Sequence, residues 1–326
     1  MANLMNHYTI LSDENRNKTF WKVLNSCNLK GKRVFVIGDE LLALFAIKAG
    51  ASKVYICNEH KIMNILLENN KKINIIKKSI YNCKLKDIGN KKVHVILSDW
   101  MGICLFHTRK LESVIYIRDR FLTRNGILLP SKAQLCVALV ENNEKREDND
   151  DDLEFWKTNG ENHDQNFKEL YDIDISKLHL HAVKDFYTHI IAQRVIKENI
   201  ISNTIKYEFN LTTIQKKDLK KIILPLKQLR ITKQTLLAGI CFYFKTEFYN
   251  FKGEYLTTLS TEPGVYNHWK QGIAYFSNLL PIDKGVECDF KAEYNISDEK
   301  SYNITSELMI DDNRYIKMCN TNVEYI

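Results

Sequence analysis

An α/β unit followed by a β-rich half is the architecture this sequence predicts, and three observations carry it. From Lys32 to Asn58 the chain alternates apolar strand (Val34–Gly38), helix (Leu41–Gly50) and second strand (Lys53–Cys57). Such alternation signals a βαβ unit with a right-handed crossover and a parallel sheet. A third strand follows at Val93–Leu97, ending in Ser98-Asp99-Trp100, where a loop begins. Beyond Pro130 the texture changes to short strand-like runs, Gln134–Val140, Thr204–Phe209, Gly239–Phe248 and Tyr302–Met309, separated by turns and charges. That half reads as antiparallel. In open α/β sheets a ligand lies beyond the carboxyl ends of the strands, and Gly38, Asn58 and Asp99 all stand at those ends.

Bulk properties exclude whole classes. A chain of 326 residues with four prolines and twelve glycines has ample material for a core. It holds no run of about 18 apolar residues that would cross a membrane, so no membrane association is expected. The N-terminal residues Met1–Leu11 lack the basic and apolar regions of a signal peptide. The eight cysteines are scattered singly, without C-x-x-C spacing. Reduced thiols in cytoplasm or nucleus fit that pattern. The net charge of +7 is spread as lysines alternating with Ile and Asn, which describes a solvated surface and not a nucleic-acid footprint.

The one true charge run, Glu147–Glu154, is acidic and reads as a surface loop, with docking of a basic partner as the minority option. Around it, Asn142–Lys184 lacks strand alternation and reads as a helical excursion from the β body. His179 and His181 have no third ligand at a useful interval, so no metal is expected. The aromatics Phe242, Tyr243, Phe244, Phe248, Tyr249 and Phe251 are read as core and rim of the β-rich half, in preference to base-stacking residues. Thr108 and Ser98 lack any matching base pattern for nucleophilic chemistry.

Several motifs together carry a resemblance. Ser98-Asp-Trp-Met-Gly-Ile-Cys-Leu-Phe106 is similar to the acidic loop of the type I protein arginine methyltransferases, and Tyr266-Asn-His-Trp-Lys-Gln271 resembles their Thr-His-Trp loop. Arg118–Pro130, Ala46–Val54, and Trp156 with Tyr171–Ser176 also match, so the resemblance covers nearly the whole chain. It implies a helical segment at 1–30 and a Rossmann-like class I methyltransferase domain at 31–130, of the kind that binds S-adenosylmethionine. A β-barrel at 131–326 would carry a helical dimerisation arm at about 145–185. Spacing alone shows neither barrel nor dimer.

The resemblance also assigns site residues, and many depart from the pattern. Of the family's Gly-x-Gly-x-Gly donor loop only Gly38 remains, and Gly38-Asp39-Glu40-Leu41 forms a loop two residues shorter, with Asp39 and Glu40 side chains in the approach. Asn58 stands where a Glu accepts both ribose hydroxyls; Glu59 is adjacent but faces elsewhere by strand alternation. Tyr81 replaces an acid near the adenine. Losing two hydrogen bonds to charged groups at about 1.5–3 kcal/mol each weakens donor binding by roughly 10²–10⁴-fold. Arg16 matches the arginine that pairs with the donor carboxylate, and His7 falls at a family histidine.

For catalysis the family holds the substrate guanidinium between two glutamates. The first aligns with Asp99, one methylene shorter, and the second with neutral Thr108, followed by Arg109, whose charge would repel a substrate. His268 is expected to pair with Asp99, with Trp269 packing behind it. The reading is of an eroded family member that acts as a non-catalytic partner, as a homodimer or as a heterodimer with an active paralogue. The alternative is an active S-adenosylmethionine-dependent protein-arginine N-methyltransferase acting on histones or other arginine-rich proteins, in which Glu59 or Glu112 is brought in by a one-residue shift.

Overall fold

The computed structural model describes residues 4–57, 67, 70–141, 144–161, 166–297, 301–311, 314–320 and 322–325. Two short helices lead the chain, α1 (Leu4–Leu11) and α2 (Glu14–Ser26). In α2, Asp13 caps the N-terminus by accepting the Arg16 N–H, and Phe20, Val23, Leu24 and Cys27 form one buried stripe at helical spacing.

The parallel sheet follows, built from β1 (Arg33–Ile37), α3 (Glu40–Lys48), β2 (Lys53–Cys57), β3 (Ile73–Ile76), β4 (Val93–Ser98), α4 (Lys110–Phe121) and β5 (Leu122–Leu129). Its five strands run in the order β3-β2-β1-β4-β5. Each pairing is parallel, as the crossover connections require. The central strands are apolar throughout because both faces are covered: Val34, Phe35 and Val36 are fully buried.

The second half contains β6 (Lys132–Glu141), α5 (Glu144–Lys157), α6 (Phe167–Tyr171), α7 (His179–Thr188), β7 (His189–Gln193) and β8 (Ile205–Asn210). It continues through β9 (Lys221–Arg230), β10 (Thr235–Tyr249), β11 (Tyr255–Ser260) and β12 (Gln271–Ile282). It ends with β13 (Glu287–Ile296), β14 (Tyr302–Asp311), β15 (Arg314–Asn320) and β16 (Asn322–Tyr325). They form a seven-stranded sheet, β16-β7-β12-β10-β6-β8 with β11 on β10, and a four-stranded sheet, β15-β14-β13-β9. All pairings are antiparallel except β16 on β7. Phe242, Phe244 and Phe248 of the long strand β10 are buried in the core, as expected for that aromatic run.

Two local expectations are corrected. The acidic run Glu147–Glu154 lies in α5 and is not a loop. Leu153 and Trp156, at i and i+3, give that helix an apolar face lining a cavity with Leu178, Ala182 and Phe186 of the arm. Glu154 adds an i,i+3 ion pair to Lys157 at 3.0 Å. The segment Gly38–Leu41 is also not an open loop. Gly38 takes φ +69°, a left-handed turn that glycine adopts without penalty, and Asp39 caps α3 by accepting the Leu42 N–H at 2.9 Å. The helix therefore starts at Glu40.

Candidate functional site

The candidate site stands where the parallel sheet ends against the antiparallel half, and its centre is Arg16. Carried on α2 and 0% exposed, the guanidinium donates through Nε to Asp99 Oδ2 at 2.6 Å, through Nη1 to Asn17 Oδ1 at 2.8 Å, and through Nη2 to Asp39 Oδ2. Each of its three nitrogens is thus engaged by this chain. Burial pulls the pKa of Arg16 down, but the charges and hydrogen bonds of Asp99 and Asp39 outweigh it and the net shift is upward. The Phe20 ring lies 5.3 Å from the guanidinium carbon and extends the enclosure.

Asp13 connects this cluster to the antiparallel half. Its Oδ1 accepts the Arg16 N–H at 2.9 Å, while Oδ2 accepts the His268 N–H at 2.9 Å and ring Nδ1–H at 2.8 Å. Burial raises the Asp13 pKa, but these three donors prevail and hold the carboxyl below its usual range. The expected His268–Asp99 pair is therefore corrected: Asp99 is bonded to Arg16, and His268 is bonded to the fully buried Asp13. The reason is that each has another partner: Asp99 Oδ2 accepts from Arg16, and the α2 cap residue Asp13 accepts from His268. Trp269 does pack behind His268, with ring centroids 3.8 Å apart.

The loop that presents Asp99 is rigid. Trp100 stacks on Phe106 at 5.8 Å, and Phe106 meets Phe209 and Tyr294 of the antiparallel half at 4.7 and 5.9 Å. The Tyr294 hydroxyl donates to the Cys104 carbonyl at 3.0 Å, and Trp269 Nε1–H to the Met101 carbonyl at 3.1 Å. Gly272 leaves the loop its room, because a Cβ there would stand 2.5 Å from Cys104 Sγ and 2.9 Å from Ile103. Asp99 is a fixed group with one oxygen on Arg16; its other oxygen, Oδ1, is buried with no hydrogen-bond partner among the described residues.

Thr108 and Tyr81 lie apart from that cluster, in the wall of a separate cavity of about 590 Å³ with Arg109, Lys110, Glu112 and Lys216. The Thr108 hydroxyl is buried and has no partner among the described residues. Arg109, expected to present a repelling charge, is paired with Glu112 at 2.6 Å. Glu112 is itself buried and carries a second cation, Lys216, at 3.5 Å, so it is a structural anion and does not reach Arg16. Tyr81 is half-exposed, edge-on to Tyr116 at 5.2 Å. Gly38 stands at the end of β1, where its N–H donates to the Cys57 carbonyl at 3.1 Å. Glu40 is buried beside Asp39, and burial followed by the Asp39 charge pushes its pKa up. Asn58 and Glu59 lie outside the described residues, as does the side chain of His7.

Sequence reasoning missed Asp13 and the pairing role of Asp39. Both are acids immediately before a helix, the N-cap signature, so their caps were legible even though their ion-pair partners were not.

Residues 131–312 match the family model described as the arginine methyltransferase oligomerization subdomain. The chain is 30% identical over 315 residues to protein arginine N-methyltransferase 1 of Caenorhabditis elegans, covering 91% of this chain and 83% of that one. It is 28% identical over 313 residues to protein arginine N-methyltransferase 6 of Danio rerio, covering 91% and 84%. Among solved structures it is similar to Arabidopsis thaliana protein arginine methyltransferase 10, with a TM-score of 0.82 at 21% identity and 98% of each chain covered. A chain of the Trypanosoma brucei PRMT1 enzyme–prozyme heterotetrameric complex with AdoHcy gives 0.79 at 19%, covering 98% of this chain and 99% of that one. At those identities the two structures speak for the fold: a Rossmann-like domain followed by a barrel-like antiparallel one.

Proposed function

The chain belongs to the protein arginine methyltransferase family, and we propose that within it this member is a non-catalytic partner, binding an active arginine methyltransferase paralogue and stabilising or regulating it. The observation that carries this reading is the closed set Asp39–Arg16–Asp99. The acid aligned with the family's first glutamate already holds a guanidinium, and the arginine aligned with the donor carboxylate already holds two carboxylates.

S-adenosylmethionine, the donor that the family resemblance implies, fits these residues poorly. Arg16 is wholly buried and already holds Asp39 and Asp99, so a donor carboxylate competes with them, and displacing either gives up a charge-assisted hydrogen bond of about 1.5–3 kcal/mol, or roughly 10- to 100-fold in affinity. Burial raises the Glu40 pKa, and a negative charge arriving beside Asp39 adds repulsion.

The oligomerization subdomain supports a role exercised through assembly. The Trypanosoma brucei complex joins an enzyme to a prozyme, an arrangement that a partner of this kind would share.

The test is calorimetric titration of the purified chain with S-adenosylmethionine, with and without an active paralogue, together with the mass of the mixture in solution. The expected result is no heat at millimolar ligand for the chain alone and a stable mixed oligomer with the paralogue. Micromolar binding by the chain alone, or no association with a paralogue, overturns the proposal. One observation favours the catalytic alternative: the partnerless Asp99 Oδ1 could accept a substrate N–H. Methylation of an arginine-rich protein that disappears in Asp99→Asn would establish it.

A further inference from the structure

Cys57 and Cys83 are 26 positions apart in the chain, yet their sulfurs lie 3.6 Å apart, both buried. Cys57 is the last residue of β2, locked at the carboxyl edge of the sheet by the Gly38 N–H on its carbonyl. Cys83 follows the single 3-10 turn Ile80–Asn82, where its N–H donates to the Ile80 carbonyl at 3.2 Å. The Cys57 sulfur lies 3.1 Å from the Lys78 carbonyl oxygen and the Cys83 sulfur 3.8 Å from the Ser79 carbonyl oxygen. Two sulfurs are thus held 3.6 Å apart by two separate backbone anchors, and a disulfide of about 2.05 Å requires them to approach by about 1.5 Å.

Among the described residues the remaining thiols behave differently. The hydrogen bond from Cys57 holds the Cys83 thiol below its usual range, with help from Lys78 and against burial and the Asp87 charge. Burial pushes Cys27 up to about 12, Cys136 and Cys288 to about 11, and Cys104 and Cys241 upward as well. The thiolate is the reactive form, so chemistry at sulfur is directed to the Cys83 side of the pair.

We propose that Cys57 and Cys83 form a redox-modifiable dithiol that takes a peroxide as oxidant and closes a reversible disulfide at the carboxyl edge of the parallel sheet. The Cys83 thiolate attacks one peroxide oxygen, the O–O bond breaks, and the leaving hydroxide picks up a proton to become water. The Cys57 sulfur then displaces the hydroxyl of the Cys83 sulfenic acid, releasing a second water. Two thiols lose two hydrogens and two electrons; one peroxide becomes two waters. The bond ties the end of β2 to the turn carrying Tyr81, whose carbonyl accepts the Tyr116 hydroxyl at 2.7 Å and whose ring lines the cavity beside Thr108. In reducing compartments disulfides of this kind are transient and sensing, and the site does not depend on whether the chain transfers methyl groups.

The full reduced chain is treated with a small excess of hydrogen peroxide, alkylated after denaturation and digested with trypsin. The expected product joins the peptide of residues 54–61 to that of residues 79–84 at two hydrogens below their summed mass. It is reversed by dithiothreitol and absent in Cys57→Ser and in Cys83→Ser, while Cys27, Cys136, Cys241 and Cys288 are recovered alkylated. Because either variant could fold poorly, the native wild-type chain is also incubated with phenylarsine oxide, which bridges paired thiols. One bound arsenical that protects both cysteines from alkylation supports the pair. Recovery of both peptides alkylated, oxidation first at other cysteines, or no arsenical uptake overturns the proposal.

Discussion

Arg16 Nε donates to Asp99 Oδ2 at 2.6 Å across 83 residues of sequence, so that carboxylate already holds a guanidinium from its own chain. Removing that cation strands Asp99 and Asp39 in partly buried surroundings. Arg16→Met is expected to destabilise the protein by about 3–5 kcal/mol. The double variant Arg16→Met, Asp99→Asn should lose less than the sum of the two single losses. Urea denaturation of the four proteins checks this, and strict additivity would refute the pairing.

Asp13 predicts an acid-side signature. Its folded pKa is depressed below the usual carboxylate value of about 3.9, so its stabilisation is fully present above that unfolded value. It is lost as pH falls through the lower folded one. Asp13→Asn preserves a competent N-cap but removes the charge that receives His268. The variant should be less stable by about 1–2 kcal/mol at pH 7 and should show a shallower loss of melting temperature below about pH 4. Superimposable melting profiles from pH 7 to pH 3 would count against it.

Asp39 sets a test of the donor pocket. Asp39→Asn keeps the cap on Leu42 while removing one of the two charges on Arg16. Binding of S-adenosylmethionine by the variant is expected to tighten by about 10-fold or more, enough to give titration heat at millimolar ligand where the wild type gives none. Equal affinities would mean that Asp39 does not compete with the donor carboxylate.

Gly272 couples the two halves through the Ile103–Cys104 turn. Gly272→Ala puts a methyl group into a space already occupied by Cys104 Sγ and Ile103 and should cost about 1–3 kcal/mol. A thermal melt unchanged by the substitution would show that the turn can move aside.

The fold was largely legible in the sequence because its elements follow local patterns. Val34–Ile37 and Lys53–Cys57 read as parallel strands from apolar runs of the right length, and β10 showed itself through its aromatic content. The acidic run in α5 misled, since its charges announced solvent while Leu153 and Trp156 carried the helical face. Of the site, the residues at the strand ends were legible as positions. Their partners were not: the contact of His268 with Asp13 spans 255 residues and that of Arg16 with Asp39 spans 23, and no periodicity relates such pairs.

By itself the sequence determined the succession of a parallel α/β unit and a β-rich half, through alternation and periodicity that act over a few residues. Only the tertiary structure decided that Arg16 is neutralised by Asp39 and Asp99, that Asp13 and not Asp99 receives His268, and that Cys57 meets Cys83. Those outcomes depend on where strand ends and helix caps are brought together, and buried charges and thiols take the partners that the packed chain leaves within about 3–4 Å.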